Sequence, residues 1–214
     1  MRGSIPRRWW GLAARIRFPG RDTFSRMRKH FALALAAAFL ATVTLKGETP
    51  VKNPTVVMKT SLGSVTIELY PDKAPETVKN FLQYVNDKFY DGTIFHRVIS
   101  NFMIQGGGID AAMNKKPTRA PIKNEAANRL KNEIGTVAMA RTNEPNSATG
   151  QFFINVKDNG FLNYQDSSPQ GIGYCVFGKV TAGMDVVEKI KAVPTGPQDV
   201  PKTQVVIESI RIVP

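Results

Sequence analysis

The alternation of apolar and polar positions predicts a chain built mainly from short strands. Residues 65–69 alternate strictly, as in a strand that buries one face. The apolar run 56–60 precedes them across a turn at 61–64, so the two runs predict a hairpin. Further strand-like runs lie at 94–99, 102–105, 135–140, 151–156, 173–180 and 205–213.

Two segments have the spacing of amphipathic helices. The first runs from Pro75 to Phe89, where proline suits the first turn and apolar residues recur every three or four positions. That apolar stripe consists of Val78, Phe81, Leu82, Val85 and Phe89. The second helix is predicted over 184–192, with an inward face made of Met184, Val187 and Ile190.

Residues 109–133 are polar, contain Pro117 and Pro121, and lack periodicity, so a long surface loop is predicted there. The strands do not alternate regularly with helices. This order favours a mainly β fold, a closed antiparallel barrel with the two helices at its ends.

The N-terminal segment 1–45 is predicted to be a basic leader, followed by a polar linker over 46–54 and one domain over 55–214. Residues 31–45 carry no charge and follow several basic residues, which is typical of a secretory signal peptide. A membrane-spanning helix needs about 20 apolar residues, more than this run contains. We expect cleavage near 43–47, a periplasmic or secreted protein, and Met27 as a possible alternative start. The alternatives are an uncleaved anchor in the inner membrane and a buried helix of the folded domain.

The net charge of +12 is concentrated in the leader. Nine of the 29 basic residues precede position 30 together with a single acid, Asp22, so this segment carries +8 and the rest of the chain +4. That balance gives no reason to expect nucleic-acid binding. Cys175 is the only cysteine, which excludes an intramolecular disulfide and a cysteine-based zinc site, and we expect no metal or cofactor.

Arg97 is the residue that most needs a chemical explanation. In a regular strand it would share a face with the apolar Phe95 and Ile99, where an unpaired guanidinium is unfavourable. It therefore needs a ligand or a partner, and Gln105 on a nearby strand is a candidate anchor. The alternative is an arginine that extends to solvent at the barrel rim. A thiol enzyme using Cys175 and His96 is a further alternative, although buried cysteines are usually inert.

Several motifs, in order, resemble the cyclophilin family, in particular its exported bacterial branch. They extend from about residue 55 to the C-terminus. The motifs are FHRVI at 95–99, FMIQGG at 102–107, PIKNEA at 121–126, AMART at 138–142, QFFIN at 151–155, VFGKV at 176–180 and GMDVV at 183–187.

The resemblance implies an eight-stranded barrel capped by two helices, and peptidyl-prolyl cis–trans isomerase activity that requires no cofactor. Matched by position, Arg97 is the catalytic arginine and Gln105 its neighbour. The implied proline pocket consists of Phe102, Met103, Phe153 and Leu162. Ala140 and Gln151 would border the groove for the preceding residues.

Three positions differ from the commonest eukaryotic pattern of that family. Tyr174 replaces a pocket histidine, Phe161 replaces a tryptophan, and Arg141 replaces an asparagine. Loss of the tryptophan accompanies weak cyclosporin binding in the family, so we expect low sensitivity to this drug. Tyr174 can still close the pocket, and Arg141 leaves the peptide preference open.

The implied function is a folding catalyst outside the cytoplasm, acting on proline-containing polypeptides as a monomer. A membrane would be contacted only through an uncleaved leader. The alternative is a chaperone or adaptor that binds proline-containing peptides and whose turnover is incidental.

Overall fold

The computed structural model describes residues 53–213, so the predicted leader and most of the linker lie outside the described residues. Within this range the chain forms eight strands, two α-helices and three single turns of 3₁₀ helix. The strands are β1 (Thr55–Thr60), β2 (Gly63–Leu69), β3 (Thr93–Ile99), β4 (Met103–Asp110), β5 (Thr136–Met139), β6 (Phe152–Asn155), β7 (Val176–Ala182) and β8 (Val206–Val213). The helices are α1 (Pro75–Asn86) and α2 (Met184–Lys191), and the 3₁₀ turns are Ala126–Asn128, Gly160–Leu162 and Pro197–Asp199.

The strands close into one antiparallel barrel in the order β1-β2-β7-β5-β6-β4-β3-β8, which confirms the predicted fold class. The alternation in β2 places Val65, Ile67 and Leu69 in the barrel core. Closure pairs β1 with β8 and removes the exposed strand edges of an open sheet.

Helix α1 packs an aromatic side chain onto the barrel core. The ring of Phe81 lies 5.2 Å from Tyr90, 5.8 Å from Phe152 and 5.2 Å from Phe177. The helix ends at Asn86 rather than at the predicted Phe89, because Lys88 adopts a left-handed backbone conformation with φ 55°. Neither α1 nor α2, the helices of residues 53–213, is long and apolar enough to cross a membrane.

A β-bulge in β3 makes the simple two-residue alternation wrong at Arg97. Phe95 pairs with Gly106, whereas Arg97 pairs with Gln105, so two residues of β3 correspond to one residue of β4. The extra residue turns Arg97 to the opposite face from Phe95. Phe95 consequently lies in the barrel core, while Arg97 faces outwards.

The segment predicted as a surface loop over 109–133 is only partly one. Strand β4 continues to Asp110, and Asn124 and Asn132 are buried. The carboxylate of Glu125 accepts hydrogen bonds from the backbone N–H of Glu76 (3.2 Å) and of Thr77 (2.8 Å) at the start of α1. The loop therefore caps a helix whose own N-cap residue provides no side-chain hydrogen bond.

Candidate active site

The candidate site is built on a row of paired residues that crosses the outer face of the barrel. Arg97 on β3 pairs with Gln105 on β4, Gln105 pairs with Phe153 on β6, and Phe153 pairs with Ala138 on β5. Directly paired residues project from the same face of a sheet. The sheet register thus places a guanidinium, an amide and an aromatic ring side by side.

A cavity of about 250 Å³ lies over this row. Its volume is slightly below the range typical of small-molecule pockets, and therefore suits one or two residues of a peptide. The residues that line it are Arg97, Phe102, Met103, Gln105, Ala140, Arg141, Phe153, Phe161, Leu162 and Tyr174. The structure therefore brings together every site residue predicted from the sequence except Gln151, which accepts a hydrogen bond from Gln105 Nε2 at 3.0 Å.

The floor of the cavity is a small apolar cluster separate from the barrel core. Met103, Phe153 and Leu162 are buried in it. At the rim, Phe161 is 68% exposed and lies against Phe102, with ring centroids 5.5 Å apart. An exposed aromatic ring beside an apolar floor is typical of a binding surface rather than of a folding core.

A network of buried asparagines holds the walls of the cavity. Asn155 donates to Asn132 (3.2 Å) and accepts from Asn159 (2.7 Å). Asn159 also donates to the backbone carbonyl of Phe102 at 2.8 Å, and Asn132 donates to that of Leu162 at 3.2 Å. Sequence reasoning missed this network, because Asn132 is 23 residues from Asn155 and the three asparagines belong to no periodic pattern.

Arg97 has a partner that the sequence did not suggest. Its Nε donates to Oδ2 of Asp199 at 3.3 Å, whereas the Gln105 amide, the expected anchor, donates to Gln151. The Arg97 side chain is 43% exposed, so the guanidinium has contact with both solvent and cavity.

Arg141 brings a second guanidinium to the cavity. It lies over the ring of Tyr174, 4.4 Å from the centroid, and its Nε donates to the carbonyl of Gly173 at 3.1 Å. Tyr174 in turn packs edge-on against Phe153, with centroids 5.8 Å apart. Two of the three positions that differ from the eukaryotic pattern therefore contact each other at one side of the cavity.

The structure contradicts the thiol-enzyme alternative. Burial above all raises the pKa of Cys175 to about 12; the Glu125 carboxylate acts in the same direction, whereas hydrogen bonds with Thr77 and the Glu125 backbone lower it. The thiol is therefore protonated at neutral pH and is a poor nucleophile. The Nδ1 of His96 is buried without a hydrogen-bond partner within residues 53–213. In that same part of the chain, no three His, Cys, Asp or Glu side chains converge to hold a metal ion.

Comparison with known proteins identifies the family. The sequence model described as "Cyclophilin type peptidyl-prolyl cis-trans isomerase/CLD" matches residues 55–212. Peptidyl-prolyl cis-trans isomerase B of Escherichia coli (strain K12) is 60% identical over 161 residues, covering 73% of this chain and 98% of the relative. A peptidyl-prolyl cis-trans isomerase of Acinetobacter baylyi is 54% identical over 190 residues, which is 87% of this chain and 96% of the relative.

A solved structure has the same fold. It is the cyclophilin type peptidyl-prolyl cis-trans isomerase of Cryptosporidium parvum, crystallised in the presence of the dipeptide Ala-Pro. It matches with a TM-score of 0.63 and 27% identity, over 75% of this chain and 99% of that one. The barrel, the motif order and these matches agree, and the chain belongs to the family of cyclophilin-type peptidyl-prolyl cis–trans isomerases.

Proposed function

We propose that the cavity beside Arg97 binds proline-containing segments of polypeptides and accelerates rotation about X–Pro peptide bonds. The observation that carries this proposal is the placement of a guanidinium at the edge of an apolar cavity the size of a residue or two. Arg97 is the proposed catalytic residue. Membership of the isomerase family makes the chain an enzyme of this class, and the geometry supports a separate role for each lining residue.

The physical task is to lower a rotational barrier. Amide resonance sets this barrier at ~18–20 kcal/mol, and uncatalysed X–Pro isomerisation takes tens to hundreds of seconds. In the twisted transition state conjugation is broken, and the prolyl nitrogen becomes pyramidal and accepts hydrogen bonds. A donor that binds this twisted form better than either planar isomer accelerates the rotation without moving a proton or forming a covalent bond.

Arg97 is suited to that role. A guanidinium keeps its charge at any physiological pH and fixes its N–H donors in one plane. The Nε is bound to Asp199, which leaves the terminal amino groups for a ligand. A peptide bound over the apolar floor beside it would exclude water and so strengthen the interaction.

The remaining lining residues have distinct proposed roles. Phe102, Met103, Phe153 and Leu162 would surround the pyrrolidine ring. Ala140 and the Gln105–Gln151 pair would border the groove for the residues that precede proline, and Phe161 and Tyr174 would close its two sides. The Cryptosporidium parvum relative, crystallised in the presence of Ala-Pro, supports a proline-containing ligand for this fold.

The test is two-dimensional exchange NMR on a short X–Pro peptide. We expect wild-type protein to accelerate cis–trans exchange and Arg97→Ala to lower kcat/KM by roughly 10²–10³, the range for loss of one transition-state donor. Arg211→Ala is the matched control, because it removes an arginine that pairs with Asp91 on another part of the surface. A folded wild-type protein that binds the peptide without accelerating exchange would identify a binding module instead of an enzyme.

We also propose that the protein is exported and assists folding in the periplasm or outside the cell. The basic leader followed by a short apolar run supports this proposal. Edman sequencing of protein from the exported fraction is the test. A new N-terminus near residues 43–47 is expected, whereas an intact leader in the membrane fraction would indicate an anchor.

A further inference from the structure

Among residues 53–213, Asp199 is the hydrogen-bond partner of the Arg97 guanidinium. Its Oδ2 lies 3.3 Å from Arg97 Nε, and the two residues are 102 positions apart in the chain. Both side chains are partly exposed, at 43% and 44%. Because exposed ion pairs contribute little to folding stability, we expect this contact to act mainly on the orientation of Arg97.

The contact uses only one of the donors of Arg97. A guanidinium has five N–H groups in one plane, and a partner at Nε restricts rotation of that plane while leaving the four terminal N–H groups available. Within residues 53–213 the guanidinium has no other hydrogen-bond partner. The neighbouring Gln105 uses its Nε2 to donate to Gln151. Asp199 thus anchors Arg97, the role that the sequence predicted for Gln105.

The loop that carries Asp199 is held in an uncommon conformation. Gln198 and Asp199 both have left-handed backbone angles, with φ of 60° and 61°. Such angles are unfavourable for residues with a Cβ and persist only where the surroundings enforce them, often at functional sites. Here the loop is closed by hydrogen bonds from Gly196 N to Val200 O and from Lys202 N to Pro194 O, both 2.8 Å.

We infer that Asp199 is a positioning residue, which keeps the Arg97 guanidinium in the orientation that meets the twisted prolyl amide. This inference rests on the proposed function of the cavity. An arginine released from Asp199 would sample several orientations, and misplacement of a catalytic donor lowers the rate more than it lowers substrate binding. We expect loss of the Asp199 carboxylate to lower kcat about five- to tenfold and to leave KM within about twofold.

The test uses Asp199→Asn in the wild-type and Arg97→Ala backgrounds. Asparagine tolerates left-handed backbone angles and has nearly the same shape, so the substitution keeps the loop, removes the charge and leaves only a weaker, neutral acceptor for Arg97 Nε. Asp185→Asn is the matched control, because Asp185 also forms an ion pair at 3.3 Å, with Lys189 on the exposed face of α2. A double-mutant cycle shows whether Asp199 acts through Arg97.

The expected result is a lower kcat for Asp199→Asn, no further loss when it is added to Arg97→Ala, and wild-type activity for Asp185→Asn. The Arg97 Nε–H signal should also exchange faster with solvent in Asp199→Asn, as seen by NMR. An unchanged kcat, or an equal loss in both backgrounds, would overturn the inference.

A change confined to KM would also overturn it. Asp199 lines a second cavity, of about 400 Å³, and such a change would mean that it contacts the client there directly. If wild-type protein accelerates exchange and Arg97→Ala does not, while Asp199→Asn equals wild type, only this inference fails. If wild-type protein has no activity, the proposed function fails and this inference fails with it.

Discussion

Glu125 provides a stringent test of whether the loop over 109–133 stabilises helix α1. Its carboxylate accepts three hydrogen bonds, from Glu76 N (3.2 Å), from Thr77 N (2.8 Å) and from the Thr77 hydroxyl (2.7 Å). Helix α1 has no side-chain cap of its own, and Thr77 is 1% exposed. Glu125→Ala therefore leaves a buried donor without a partner and removes a negative charge from a helix N-terminus.

The size of the effect follows from these contacts. A lost helix cap typically costs about 0.5–2 kcal/mol, and a buried donor left unpaired about 1–3 kcal/mol. Because these contributions overlap, we expect the free energy of unfolding to fall by about 2–3 kcal/mol. For a domain of this size that change lowers Tm by about 4–12 °C.

The assay is urea unfolding followed by circular dichroism, with thermal unfolding as a second measure. Glu125→Gln keeps one acceptor and should lose about half as much stability. Glu133→Ala is the control within the same loop, because Glu133 is exposed, and it should change the free energy of unfolding by less than about 0.5 kcal/mol. A Glu125→Ala protein as stable as the Glu133→Ala protein would refute the capping role.

Three further outcomes are expected. Burial, together with the Arg97 charge, lowers the pKa of His96 below its usual 6.5, although the backbone of Ile94 acts to raise it. The folded state thus favours neutral His96, so the free energy of unfolding should fall as the pH falls from about 7 to 5. Urea unfolding at each pH should show a smaller fall for His96→Gln. With a pKa of about 12, Cys175 should resist iodoacetamide in the folded protein at neutral pH, and Cys175→Ala should keep full isomerase rate. Phe161→Trp adds aromatic surface at the exposed rim and should tighten cyclosporin binding about tenfold, as measured by calorimetry. Unchanged affinity would mean that this position does not determine drug sensitivity.

The sequence predicted the fold class well, because strand and helix signals are local. Alternation in the hairpin and the three- and four-residue spacing in α1 depend on neighbours only a few positions away. The β-bulge at Arg97 could not be predicted from alternation, since a bulge depends on the register with β4. The outward orientation of the Arg97 side chain therefore depends on the pairing of β3 with β4 and not on the sequence of 95–99 alone.

The cavity itself was predicted through motif resemblance, and its supporting contacts were not predicted. Asp199 is 102 residues from Arg97, and Glu125 is 48 residues from Thr77. The path of the loops across the closed barrel determines which of these residues meet. No periodic pattern in the sequence predicts that path. The polar asparagine Asn155 at the end of an apolar run was the only local signal of the network behind Phe102 and Leu162.

The proposed mechanism requires that Arg97 bind the twisted amide better than it binds either planar isomer. The most direct measurement determines peptide affinity and cis–trans exchange rate in the same NMR samples, for wild type and Arg97→Ala. We expect Arg97→Ala to bind the X–Pro peptide within about threefold of wild type and to lose roughly 10²–10³ in exchange rate. Equal losses in affinity and rate, or a retained rate, would contradict it.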